Sequence, residues 1–179
     1  MTAMSKTPLA PAETLDQVAK KIFTELHQAI ISKAEDVFQG DVEAVHQMRV
    51  ASRRLRAALS NFAVCCVPDN RRWMRALLGD LAGALGSIRD LDVMVAALQE
   101  HKTTLSLDER SHVSALIRRL RARRRRRRRR LEILLRSEDY ARFKHEFLSV
   151  LTSDLAAGHQ TDRKDDYGQG AQGEEGVAN

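Results

Sequence analysis

Aromatic side chains are scarce in this sequence, at 4% of 179 residues. A β-sandwich leans on aromatic and β-branched residues, so that class is disfavoured, and any core must be built from Leu, Ala, Val, Ile and Met. Proline occurs three times, and only Pro68 lies away from the N-terminal segment, where it can sit between helices. The two cysteines, Cys65 and Cys66, are adjacent, which gives neither a disulfide framework nor a zinc-ligand spacing. A reducing cytoplasm is the expected setting. No apolar run nears the ~20 residues a membrane span requires, and Met1 to Glu13 lacks the pattern of a signal peptide. G-x-S-x-G, a Gly-rich loop followed by Lys-Ser/Thr, and H-E-x-x-H are all missing. The histidines are scattered, so neither a metal nor another cofactor is expected.

Arginine is what the chain has in abundance, with 23 Arg against 7 Lys. The charge is uneven: up to Asp154 there are 28 basic and 19 acidic residues, whereas the remainder has 2 basic and 5 acidic. A basic body calls for an anionic partner. Guanidinium forks match phosphate oxygens two at a time, which favours phosphate as that anion.

The organisation reads as an all-α antiparallel bundle of four to five helices between disordered termini. Residues 1–12 are expected to form a flexible arm, 13–153 the bundle, and 154–179 a disordered acidic and polar tail. Thr14 and Gln17 form a capping box ahead of a helix that Gly40 ends. Asp41 caps a second helix running to about Val67, and Pro68-Asp69-Asn70 reads as a turn. A third helix, from about Arg71 to Lys102, carries Gly79, Ala82, Gly83 and Gly86 on one side. That stripe is either a groove for a close-approaching ligand or a tight helix–helix contact, and a kink near Gly86-Ser87 is expected with it. Ser106 and Glu109 open a long helix to about Arg136, and Ser137 caps a last one ending near Leu151.

The chemistry concentrates between Val45 and Arg56. On a helical wheel Val45, Met48, Leu55, Leu59 and Phe62 form the core face. His46, Arg49, Arg53 and Arg56 fall in a strip beside that face, whereas Arg54 points elsewhere. Clustered guanidiniums at the edge of a core repel one another unless an anion neutralises them, so the strip is a candidate anion site. A solvated basic face is the alternative.

The segment His46-Gln47-Met48-Arg49-Val50-x-x-Arg53-Arg54-Leu55-Arg56 resembles the signature of the CHAD family of α-helical domains. Leu85-Gly86-Ser87-Ile88-Arg89-Asp90-Leu91-Asp92-Val93 is similar to that family's second motif, and Ser137-x-x-Tyr140-x-x-Phe143 to its third. The resemblance implies a helical bundle that binds inorganic polyphosphate without catalysis, in the cytoplasm and on polyphosphate granules. It implies an anion site lined by His46, Arg49, Arg53, Arg56 and Arg89; Arg75, Arg124, Arg127 and Arg128 are candidate secondary anion contacts. Asp90 and Asp92 are expected to pair with arginines and fix the helix. The family's domain has two similar halves and the sequence resembles one of them, so either two chains pair as a homodimer to complete the channel or this is a truncated half-domain with weak binding.

Arg121 and Arg123 through Arg130 place arginine all round one helix. Arg124, Arg127 and Arg128 stand where the apolar stripe of Val113, Leu116, Ile117 and Leu120 should continue to Leu131. These side chains are expected to snorkel, to project past the bundle end, or to extend the anion channel. Nonspecific nucleic-acid binding through this run is the alternative function.

Overall fold

The computed structural model describes residues 14–161, all helix and short connections. The expected flexible arm at 1–12 and the part of the expected tail beyond Thr161 lie outside the described residues.

Six α-helices follow one another: α1 Leu15–Ile31, α2 Ala34–Gln39, α3 Val42–Asn61, α4 Pro68–His101, α5 Leu107–Leu135 and α6 Glu138–Thr161. Their starts are written locally. At α1, Gln17 N–H donates to Thr14 Oγ1 (3.3 Å) and Thr14 N–H to Gln17 Oε1 (2.9 Å), closing the capping box. Asp41 accepts from Ala44 N–H at 2.6 Å and opens α3. At α5 the Ser106 backbone N–H and hydroxyl both donate to Glu109 Oε2, at 3.0 and 2.6 Å. Ser137 Oγ accepts from Tyr140 N–H at 3.2 Å and opens α6.

Three boundaries differ from the sequence reading. The first helix is broken at Ser32-Lys33, where the Lys33 N–H turns to the carbonyl of Ile30, so α2 is a separate short helix. Pro68, Asp69 and Asn70 are not a free turn. They form the first turn of α4, because proline at the first helical position gives up only an N–H that would have no helical partner. The bundle does not stop at residue 153: α6 continues to Thr161 and carries Asp154 and Leu155 into the buried interior. Asp154 accepts from Val67 N–H and from Asn70 Nδ2, each at 2.9 Å, so a residue assigned to the tail secures the start of α4. The carboxylate satisfies donors that the helix cannot pair for itself.

One apolar core joins α1, α3, α4 and α6 through Phe23, Ile30, Met48, Leu55, Leu78, Leu81, Phe143 and Phe147. His27 is stacked on the Phe147 ring (4.8 Å between centroids), and its Nε2 faces the Phe143 carbonyl at 3.0 Å. Burial pushes its pKa down, against the pull of that hydrogen bond. Burial likewise raises both thiols to about 11, with Asp16 adding to the effect at Cys65 and Asp154 at Cys66. The α4–α5 hairpin runs past this core: Leu91, Val95 and Ile117 are buried yet stand apart from the main cluster. Helices of 34 and 29 residues, against 20 in α3, leave that length over. The arginine run lies on this hairpin, between Ile117 and Leu131.

Candidate functional site

Helix α3 buries Val45, Met48, Leu55 and Leu59, as the wheel predicts, and this fixes where its cations go. Its partner is α4, which returns antiparallel after a short connection. Three observations fix the register. A side chain begun at Gly86 would meet Arg49 Nε at 3.5 Å, and one begun at Gly79 would meet the Arg56 guanidinium at 3.7 Å. At the far end, Arg75 Nη1 donates to Ser60 Oγ. Each step up α3 is a step down α4, and the same register brings His46 level with Arg89.

At Gly79 and Gly86 the glycine stripe lies under guanidiniums carried by the neighbouring helix α3. Gly79 and Gly86 are half-buried, Gly83 is exposed, and nothing lies within 4 Å of where a Gly83 side chain would begin. The stripe is thus helix contact at Gly79 and Gly86 and open surface at Gly83. Helix α4 runs through Gly86-Ser87 without a break. This stretch of the α3–α4 seam, hereafter the trough, is open at Gly83. Its floor is glycine, its rim is Arg49 and Arg56 with Arg53 exposed beside them, and its ends are Arg75 and the His46–Arg89 pair of positions. From residue 75 to residue 89, α4 rises ~21 Å.

The electrostatics of this trough are one-sided. Among the described residues, no carboxylate lies within ion-pair distance of Arg49, Arg53, Arg56 or Arg89, and none of the four makes a side-chain hydrogen bond. His46 is half-buried, and its Nδ1 is enclosed without a hydrogen-bond partner. A row of guanidiniums with no carboxylate beside it can take an anion from outside.

The secondary positions divide. Arg75 is held by Ser60 at the end of the trough. Arg124 is committed to the fold: its Nε bonds the Asp92 carboxylate and its Nη2 donates to the Gly40 carbonyl at 3.2 Å. Both partners are largely buried, with side-chain exposures of 17% and 7%, which makes this the most enclosed ion pair among the described residues. Asp92 thus pairs with an arginine as expected; Asp90 is exposed. Arg128 Nε bonds Glu132 at 2.9 Å, and its guanidinium also covers Gly40. Gly40 ends α2 with φ +89°, a conformation that favours glycine, and this closes the arginines over the α2–α3 corner. Arg127 points with Arg123, Arg126 and Arg130 into a separate depression. Two features escaped the sequence reading: the Arg124 latch, disguised by a run in which every residue is the same, and the Asp154 cap, hidden by the polar composition that follows it.

A family model for the CHAD domain matches residues 21–171, most of the chain and both principal motifs. The chain belongs to the CHAD family. Comparison with curated proteins finds no match. The CHAD domain is associated with polyphosphate binding. Among the described residues no helix is long and apolar enough to cross a membrane.

Proposed function

We propose that this protein binds inorganic polyphosphate along the α3–α4 trough and holds it without cleaving it. One observation carries the reading: the Arg49 and Arg56 guanidiniums, free of carboxylates, stand over Gly86 and Gly79. A thin, flexible polyanion laid on the glycine floor would meet guanidiniums along its length, with Arg53, Arg89 and His46 adding donors. Each charge-assisted hydrogen bond contributes about 1.5–3 kcal/mol. The trough supplies cations and no nucleophile held beside a base, which favours retention over hydrolysis. The floor is open on its outer side at Gly83, so a second copy of the chain is the partner proposed to cover it. The cytoplasm, on polyphosphate granules, is the setting that such binding suggests.

The test compares long-chain polyphosphate with duplex DNA at about 150 mM salt. Arg49→Ala with Arg53→Ala removes two contacts and should weaken polyphosphate binding by at least ~100-fold. Arg126→Ala with Arg130→Ala, outside the trough, should cost a few-fold at most. If the second pair matters more than the first, the trough is not the polyphosphate site.

A further inference from the structure

Helix α5 sorts its arginines by direction, and only one set is used by the fold. Arg124 and Arg128 turn inward to Asp92, Glu132 and Gly40. Arg123, Arg126, Arg127 and Arg130, at the spacing i, i+3, i+4, i+7, share another strip and line a depression of about 390 Å³ that no other residue lines. None of these four has a hydrogen bond or ion pair among the described residues. Exposed Arg119 continues the strip one turn earlier. Nothing in the polyphosphate reading employs these side chains. They are also remote from the trough: on α4 the glycine stripe and the Asp92 position that faces α5 lie on opposite sides of the helix.

We propose that this strip is a second, independent site, a sequence-indifferent surface for the phosphate backbone of double-helical nucleic acid. The trough has a floor and suits a thin chain. The strip, by contrast, lies along the outward face of α5, with Arg119, Arg123, Arg126 and Arg130 exposed to a wide and stiff partner. An α-helix with its side chains is ~10–12 Å across, and the duplex major groove is ~12 Å wide. From Arg119 to Arg130 the helix rises ~16 Å, so five guanidiniums recur about every 4 Å, close to the ~3.4 Å axial repeat of phosphates on one strand. The strip has a single side-chain type and no aromatic to stack on a base, so it contacts backbone and does not read sequence.

Counterion release makes the test quantitative. Five phosphate contacts give a slope of log K against log salt near −4.5, or on the order of a 500-fold loss of duplex binding between 50 and 200 mM salt. With the full chain and a labelled duplex, replacing Arg123, Arg126, Arg127 and Arg130 by Gln should reduce that slope to about −1. The same four positions as Lys keep the charge and should keep the slope, which separates loss of contact from damage to the fold. Arg49→Gln with Arg53→Gln and Arg56→Gln should leave the duplex slope within about one unit while removing polyphosphate binding. The proposal is overturned if the wild-type chain fails to bind duplex at 50 mM salt, or if the four-Gln chain keeps its slope. It is overturned equally if the folded four-Lys chain loses the slope, or if the trough variant loses duplex binding as fully as the four-Gln chain. Loss of polyphosphate binding in the four-Gln chain alone would overturn the trough reading instead and leave this surface standing.

Discussion

Filling the trough from its floor separates its two physical claims, that Gly83 faces open space and that the anion lies over it. Gly83→Ala adds a methyl group where nothing stands within 4 Å. No contact is lost, and an exposed mid-helix glycine costs ~0.8–1 kcal/mol relative to alanine. The Ala variant should therefore be more stable by about that amount, a rise of ~2–4 °C in Tm for a chain of this size. Its polyphosphate affinity should stay within about two-fold, because a methyl group leaves the rim arginines reachable. Gly83→Leu keeps the propensity gain, since leucine is nearly as good a helix former. Its side chain, however, occupies the space between Arg49 and Arg56 and lifts the polymer away from at least one guanidinium. One charge-assisted contact of ~1.5–3 kcal/mol is ~10- to 100-fold in affinity.

Thermal melting by circular dichroism and titration calorimetry with polyphosphate measure the two effects on the same samples. The informative outcome is a Leu variant that is more stable than wild type and binds more weakly, because generic damage would move both quantities down together. A Leu variant that binds like wild type would refute the placement of the anion over the glycine stripe. A destabilised Ala variant would refute the openness of the floor and return the stripe to helix–helix packing.

Asp154→Ala should cost about 1–3 kcal/mol in a chemical denaturation curve, because the Val67 N–H and Asn70 amide lose their acceptor. Asp92→Ala strands a largely buried guanidinium and should cost ~3 kcal/mol, whereas Asp92→Leu with Arg124→Leu restores the apolar stripe and should be neutral or stabilising. His27 carries a lowered folded pKa, so the unfolded chain binds a proton that the folded chain refuses. Stability should then fall as pH drops below the unfolded value of ~6.5, by up to ~1.4 kcal/mol per unit, until the folded pKa is reached. Denaturation curves at several pH values should show His27→Met flattening that dependence. Light scattering with and without polyphosphate should register a doubling of mass on binding if a second copy covers the trough.

What the sequence disclosed, and what it hid, follows the range of the interactions concerned. Caps act over three residues and apolar faces over four, so Thr14-Gln17, Asp41, Ser106-Glu109 and the Val45–Leu59 face were legible from spacing alone. The trough was half legible. Two stripes, arginine on one helix and glycine on another, could each be read from periodicity, but their meeting depends on the register of α3 against α4. Residues as far apart in sequence as Arg49 and Gly86 set that register, and no local pattern encodes it. The same limit explains Asp154, whose partners lie 84 and 87 residues away. It explains Arg124 as well, whose partner Asp92 is 32 residues distant on another helix.

The arginine run is the sharpest case, because composition there carries no directional information at all. Eight consecutive identical residues look the same from every side of a helix, yet the fold gives them different duties. An inward position next to Asp92 and the Gly40 carbonyl is worth filling with a cation, since removing it would leave a buried carboxylate alone. An outward position has no such partner, and there each guanidinium remains as free as on an unfolded chain. Charge that is paired within the fold cannot be removed singly without stranding its partner, whereas charge left over on one face acts only when a polyanion arrives. Alanine substitutions along α5 should accordingly split: those at Arg124 should move the denaturation midpoint, and those at Arg126 or Arg130 should move salt-dependent binding. A run whose members all behaved alike would mean that the helix makes no distinction between its faces.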